Sequence, residues 1–146
     1  GTMGYGLPAA IGAQMAQPQD KVINICGDGS FQMNLPELAT AVENGLPLKI
    51  ILFNNLGLGL VRQLQEFYCD KRYHQVHFTF GPDFVKIAQG YSIKARRIKK
   101  TEEVPEALDE FLAHDGAYLL ECIVDIDENV YPMVLVGDPI DEMIGG

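Results

Sequence analysis

Two short stretches carry side chains whose types could do chemistry together: ICGDGSFQMN at 25–34 and the pair NN at 54–55. Asp28 stands alone between Gly27 and Gly29, with a hydroxyl following at Ser30, and Asn55 adds an amide 27 positions later. A carboxylate and an amide carbonyl are hard oxygen ligands. Two such protein ligands, completed by phosphate oxygens and water, are what Mg²⁺ usually accepts. Gly27 and Gly29 have no Cβ to hold a diphosphate off the backbone, and the N–H groups around Gly29 and Ser30 can donate to it. By itself a GDGS turn is more often only a tight turn; its position at the end of an apolar run, with NN at the end of another, changes that reading.

The elements between these residues must bring them together. KVINIC (21–26) and LKIILFN (48–54) are apolar runs that read as buried strands, the second uninterrupted. Between them, LPELATAVENG (35–45) repeats Leu35, Leu38, Ala39 and Val42 at helical spacing, with Asn34 as cap and Gly45 as stop. LPAAIGAQMA (7–16) predicts a helix with Pro8 in its first turn and Pro18 just beyond its end. Helices are predicted over 58–68 and 83–90, separated by a loop carrying Cys69, Tyr73, His74 and His77. YSIKARRI (91–98) then reads as a strand, TEEVPEALDEFLAH (101–114) as a helix capped by Thr101, and AYLLECIVD (117–125) as another buried strand. Strands alternating with helices over short connections predict an α/β, three-layer, doubly wound, mostly parallel sheet with helices on both faces. Ligands in such sheets bind beyond the carboxyl ends of the strands. Both motifs lie there, so Asp28 and Asn55 are expected to be neighbours.

Composition narrows the classes. With 47% hydrophobic residues in 146, the chain suits one ordinary domain, and disorder is excluded. No apolar stretch reaches the roughly 20 residues of a membrane helix, and GTMGYG is not a basic start followed by an apolar run. A net charge of −9 repels phosphate backbones and anionic membrane surfaces, so neither nucleic acid nor membrane is expected as a partner, and any bound phosphate needs local neutralisation. Three cysteines, an odd number without metal-ligand spacing, point to a reduced, cytoplasmic setting, with Cys26 and Cys122 in core strands. His74 and His77 read as loop residues for want of a third ligand at matching spacing, and KARRIKK (94–100) as a solvated strand end. His114, near a helix end, complements the helix dipole.

GDG followed some 25 to 30 residues later by NN resembles the signature of the thiamine diphosphate enzymes. GTMGYGLPAAIGA, GDGSFQMNLPEL, NNLGLGLVRQLQ and VYPMV narrow the resemblance to the C-terminal cofactor domain of the acetolactate synthase (acetohydroxyacid synthase) family, over essentially the whole chain. The resemblance implies a six-stranded, mostly parallel sheet. It also makes Asp28 and Asn55 side-chain ligands of Mg²⁺, with the backbone carbonyl of Gly57 as a third protein ligand. Gly29 and Ser30, with Gly27, match diphosphate-holding positions. Gly1 matches a residue whose carbonyl accepts from the pyrimidine 4′-amino group, and Met3 the apolar residue that props the cofactor in its bent form. Met33, which alone would read as a core residue, joins these cofactor-binding candidates.

The implied activity decarboxylates pyruvate and joins the two-carbon unit to a second 2-oxo acid in branched-chain amino-acid biosynthesis. No catalytic residue is assigned here, because the family's activating glutamate comes from an N-terminal pyrimidine-binding domain that no segment resembles. Residues 1–146 are thus expected to form a single cofactor domain, the C-terminal part of a larger enzyme or one part of a split one, inactive by itself. The resemblance also implies a homo-oligomer, dimer or tetramer, and leaves open FAD in a middle domain and a regulatory subunit. The alternatives are a module that only binds the cofactor, or the cofactor domain of a pyruvate oxidase or glyoxylate carboligase, from which VRQLQ and VYPMV point away. Leu60 stands where the family commonly has Met, and Leu64 where it has Trp. The second exchange bears on preference for the larger 2-oxo acid and on sulfonylurea sensitivity.

Overall fold

The computed structural model describes residues 1–145. Three apolar runs and the basic segment KARRI form one parallel sheet: β1 (Ile23–Gly27), β2 (Lys49–Asn54), β3 (Lys94–Ile98) and β4 (Tyr118–Ile123), in the order β1-β2-β4-β3. Gly27 pairs with Phe53 and Phe53 with Cys122, so three strands end at one level. The helices are α1 (Gly6–Ala16), α2 (Asp28–Gln32), α3 (Glu37–Glu43), α4 (Gly59–Tyr68), α5 (Phe84–Gly90) and α6 (Val104–Ala113). Two residue pairs, Met133–Val134 (β5) and Met143–Ile144 (β6), make a separate antiparallel ladder.

Successive side chains of a strand point to opposite faces, and here they build two cores. Ile50, Leu52 and Leu119 pack with Leu7 and Ile11 of α1, Phe31 of α2, Leu38 of α3 and Phe84 of α5. Tyr118 and Leu120 face the other way, onto Ala107 and Phe111 of α6. The Phe111 and Tyr118 rings meet edge-on at 5.5 Å, and each is fully buried. Helices therefore cover both faces, as the alternation predicts.

Four expectations are corrected. The parallel sheet has four strands among the described residues, where the resemblance implied six; β5 and β6, two residues each, pair only with one another in a separate ladder. Asn34 does not cap a helix, because its side-chain amide donates to the Gly4 carbonyl at 2.5 Å, and α3 begins at Glu37 after Pro36. Thr101 is not the cap of α6; it opens a short 3₁₀ turn at Thr101–Glu103, where the Glu103 carboxylate accepts from the Lys99 and Lys100 N–H groups. The basic stretch is not simply a solvated strand end, since Arg96 pairs with Glu106 and Glu110 and Arg97 with Asp83 and Glu121. Gly45 does end α3, at φ 60°, a conformation that costs glycine no Cβ clash.

Candidate cofactor and metal site

At the carboxyl ends of β1 and β2 lies a cleft of about 240 Å³ lined by Met3, Gly27, Asp28, Gly29, Ser30, Asn55 and Gly57, together with Leu58, Leu60, Val61 and Val124. The parallel pairing of β1 with β2 brings the two motifs to one level, so residues far apart in sequence share one wall. Seven of the nine candidate site residues meet here. Gly1 is exposed with open space around it, and Met33, also exposed, packs its Cβ toward Gly4 behind the cleft.

Asp28 is the first residue of α2, so GDGS is the start of a short helix and not a free turn. Its side chain is buried, and Oδ2 has no hydrogen-bond partner. A buried carboxylate oxygen without a partner is costly. Burial pushes the Asp28 carboxyl above the usual carboxylate range, while backbone N–H groups of Gly29 and Asp28 on one side and Gly57 and Leu56 on the other partly oppose this. A cation would remove the penalty, and Mg²⁺ suits one carboxylate with amide and backbone oxygens. The residues present therefore fit such an ion. Among the described residues no three His, Cys, Asp or Glu side chains cluster as a metal site, so this donor set is of a different kind.

The second wall is a tightly held loop. Asn55 Oδ1 accepts from the Gly57 N–H at 3.1 Å, and Leu56 takes a left-handed conformation at φ 52°. Leu58 donates to the Val76 carbonyl and Phe78 to the Leu56 carbonyl, each at 2.8 Å, which clamps Gly57 against residues 76–78. His77 forms an isolated bridge with Gly57, and its ring stacks on Tyr73 at 6.0 Å.

The third wall is the chain's beginning. The Gly4 N–H donates to Ser30 Oγ at 3.0 Å, which leaves the serine's own proton free for an anion, and this bond with Asn34 holds residues 1–4 over α2. A Cβ on Gly29 would lie 3.2 Å from Met3 Cε and 2.9 Å from Leu58 Cδ2, so an apolar lid already rests on that glycine. At Gly27 the nearest atom would be 3.9 Å away, ordinary contact, so sterics alone do not demand glycine there.

Sequence reasoning missed Phe53 and Val124, which line the cleft from strand ends, the positions where ligand contacts are expected. It also missed a polar chain behind the loop, Asn54 to Glu121 to Arg97 to Asp83, buried at Asn54 and Glu121 and half-exposed at its other end. A larger groove of about 330 Å³ lies beside α6, lined mainly by Ile51, Phe53, Ile98, Val104, Leu120 and Cys122; its apolar walls offer no acidic ligand. No helix is long and apolar enough to cross a membrane among the described residues.

Residues 1–122 match the family model described as "Thiamine pyrophosphate enzyme, C-terminal TPP binding domain". The chain is 47% identical over 144 residues to the acetolactate synthase isozyme 2 large subunit of Escherichia coli K12, covering 99% of this chain and 26% of that protein. It is 49% identical over 144 residues to the mitochondrial acetolactate synthase catalytic subunit of Saccharomyces cerevisiae, covering 99% of this chain and 21% of that one. A solved thiamine diphosphate-dependent 4-hydroxybenzoylformate decarboxylase from Rhodococcus jostii RHA1 superposes with a TM-score of 0.78 at 33% identity, over 87% of this chain and 24% of that chain. The chain thus spans about a quarter of the length of these relatives. With the GDGS and NN segments both inside the matched region, the chain belongs to the C-terminal TPP-binding domain family of thiamine pyrophosphate enzymes and is homologous to acetolactate synthase large subunits.

Proposed function

We propose that the parent protein is a thiamine diphosphate- and Mg²⁺-dependent acetolactate synthase, and that this chain is its cofactor domain. In it, the Asp28 carboxylate, the Asn55 amide oxygen and the Gly57 carbonyl hold Mg²⁺, and the metal offsets the domain's negative charge toward a diphosphate. N–H groups around Gly29 and the Ser30 hydroxyl donate to that diphosphate, while Met3 and Leu58 form the apolar support of the cofactor. Thiamine diphosphate, when bound, supplies a carbon nucleophile and an electron sink, the chemistry by which a 2-oxo acid loses CO₂ and its two-carbon remainder is joined to a second one. The chain's own part is to bind, orient and shield. The observation that carries the metal reading is the buried, partnerless Oδ2 of Asp28 in a cleft shared with Asn55 and Gly57.

The family resemblance extends this reading to an N-terminal domain of a partner subunit supplying the activating glutamate and to a homo-oligomer, and "large subunit" in a relative's name supports a regulatory subunit. FAD in a middle domain and a cytoplasmic location belong to the same reading. The test is acetolactate formation from pyruvate by the full-length enzyme with Mg²⁺ and thiamine diphosphate. Turnover that stops at CO₂ release, with acetaldehyde or acetate as product, would favour a plain decarboxylase or an oxidase instead.

A further inference from the structure

Behind the Asn55–Gly57 loop, four polar side chains are joined end to end, and each link admits one polarity. Asp83 Oδ1 accepts from Arg97 Nη2 at 2.7 Å, and Arg97 Nε donates to Glu121 Oε2 at 2.6 Å. Glu121 is fully buried in the middle of β4, and its other oxygen, Oε1, accepts from Asn54 Nδ2 at 2.7 Å. Asn54 Oδ1 in turn accepts from the Leu56 N–H at 3.1 Å. Arginine only donates and an ionised carboxylate only accepts. The Asn54 amide must therefore present its NH₂ to Glu121 and its oxygen to Leu56. The N–H donating to that oxygen belongs to Leu56, the residue held at φ 52° between Asn55 and Gly57.

We propose that Glu121 is a positioning residue for the metal loop: its acceptor-only carboxylate fixes the orientation of the Asn54 amide, which fixes Leu56, which sets where the Asn55 amide oxygen and the Gly57 carbonyl stand relative to Asp28. The proposal rests on the reading of these three groups as Mg²⁺ ligands. Mg²⁺ demands near-ideal octahedral geometry and tolerates misplaced oxygens poorly, so a small displacement of the loop is read out as affinity.

The relay makes a prediction that bulk packing does not. In Glu121→Gln, either the new amide's NH₂ faces the Arg97 donor, or it faces Asn54, whose amide must then flip and turn its own NH₂ toward the Leu56 N–H. One donor, on Arg97 or on Leu56, loses its acceptor in this chain of side chains in either case. Pairing this change with Asn54→Asp restores every link, because a carboxylate at position 54 accepts both from the amide at position 121 and from Leu56.

The test measures Mg²⁺ affinity by titration calorimetry with thiamine diphosphate in the full-length enzyme, and the exchange rate of the Leu56 amide by hydrogen exchange in the metal-free enzyme. Glu121→Gln is expected to weaken Mg²⁺ by about tenfold or more and to speed Leu56 exchange, a cost in the range of one lost hydrogen bond to a charged group. The N54D/E121Q double variant returns both readouts to within roughly threefold of the parent, a residual below the tenfold that about 1.4 kcal/mol would give. Should Glu121→Gln fail to fold, Asn54→Ala removes the same acceptor and carries the same expected loss. Mg²⁺ affinity unchanged in both single variants, or a double variant no better than Glu121→Gln, overturns the proposal. An unchanged Mg²⁺ affinity in Asp28→Ala instead overturns the metal reading, and the Leu56 exchange rates, taken without metal, keep the two failures apart.

Discussion

Gly57→Ala probes the loop without removing any proposed ligand atom. The backbone φ at Gly57 lies outside the left-handed region, so alanine meets no conformational barrier and the whole effect is contact. A Cβ there would stand 2.4 Å from Ile126 Cδ1 and 2.6 Å from the Val76 carbonyl oxygen. The isoleucine tip can swing away. The Val76 oxygen cannot, because it is backbone already accepting from the Leu58 N–H at 2.8 Å. Moving from 2.6 Å to even 3.0 Å, the shortest separation real Cβ atoms show, displaces one backbone segment by about 0.4 Å. Overpacking of this kind costs about 1–3 kcal/mol, and one strained hydrogen bond adds about 0.5–1.5 kcal/mol, so about 2–4 kcal/mol of local stability is lost. A displaced Gly57 carbonyl would suit the strict octahedral geometry of Mg²⁺ less well than the looser coordination of Ca²⁺. Calorimetric titration of the full-length enzyme should show Mg²⁺ affinity down by about tenfold or more, with Ca²⁺ less affected, and a lower melting temperature without metal. A variant with unchanged melting and equal losses for the two ions would refute the clamped-loop reasoning.

Asp28→Ala should abolish Mg²⁺-dependent binding of thiamine diphosphate, measured by calorimetry, because the diphosphate would then face an acidic domain with its metal poorly held. Glu110 is held at about 2, against an ordinary 4.5, by hydrogen bonds from Lys94 and Arg96. A depressed carboxyl stabilises the fold above the ordinary value, and that contribution fades as pH falls from 4.5 through about 2. The melting gap between the parent and Glu110→Gln should therefore be widest near neutrality and close between pH 4.5 and 2. Leu64, on α4 and 39% exposed, is smaller than the flat indole that the family resemblance implies at its position. Stacking worth about 0.5–1.5 kcal/mol and the lost apolar area together predict at least about tenfold weaker sulfonylurea inhibition than in Leu64→Trp, read as inhibition constants of the full-length enzymes; equal constants would empty the alignment of VRQLQ.

The strands were legible because a buried parallel strand must be a continuous apolar run, and KVINIC, LKIILFN and AYLLECIVD are such runs. The pairing of GDGS with NN followed from the same logic, since parallel strands bring their carboxyl ends to one level. What the sequence hid was tertiary use of polar side chains. Asn34 looks like a helix cap but spends its amide on Gly4. Arg97 looks like part of a solvated basic run but closes on Glu121, whose burial no periodicity reveals. Leu56 at φ 52° is invisible too, because leucine rarely takes that conformation and tertiary contacts, among them those to Asn54 and Phe78, hold it there. Gly1 and Met33 were named by resemblance, and the cleft in this chain forms without them.

The central claim is that Asp28, Asn55 and the Gly57 carbonyl hold one divalent ion at the diphosphate end of thiamine diphosphate. The most direct measurement is a crystal structure of the full-length enzyme grown with thiamine diphosphate and Mn²⁺, with anomalous scattering locating the metal. The account predicts a single peak in this cleft, bonded to Asp28 Oδ, Asn55 Oδ1 and the Gly57 oxygen, with the remaining positions filled by diphosphate and water. A peak bonded to other residues, or a cofactor seated here with Asp28 unligated, would contradict it.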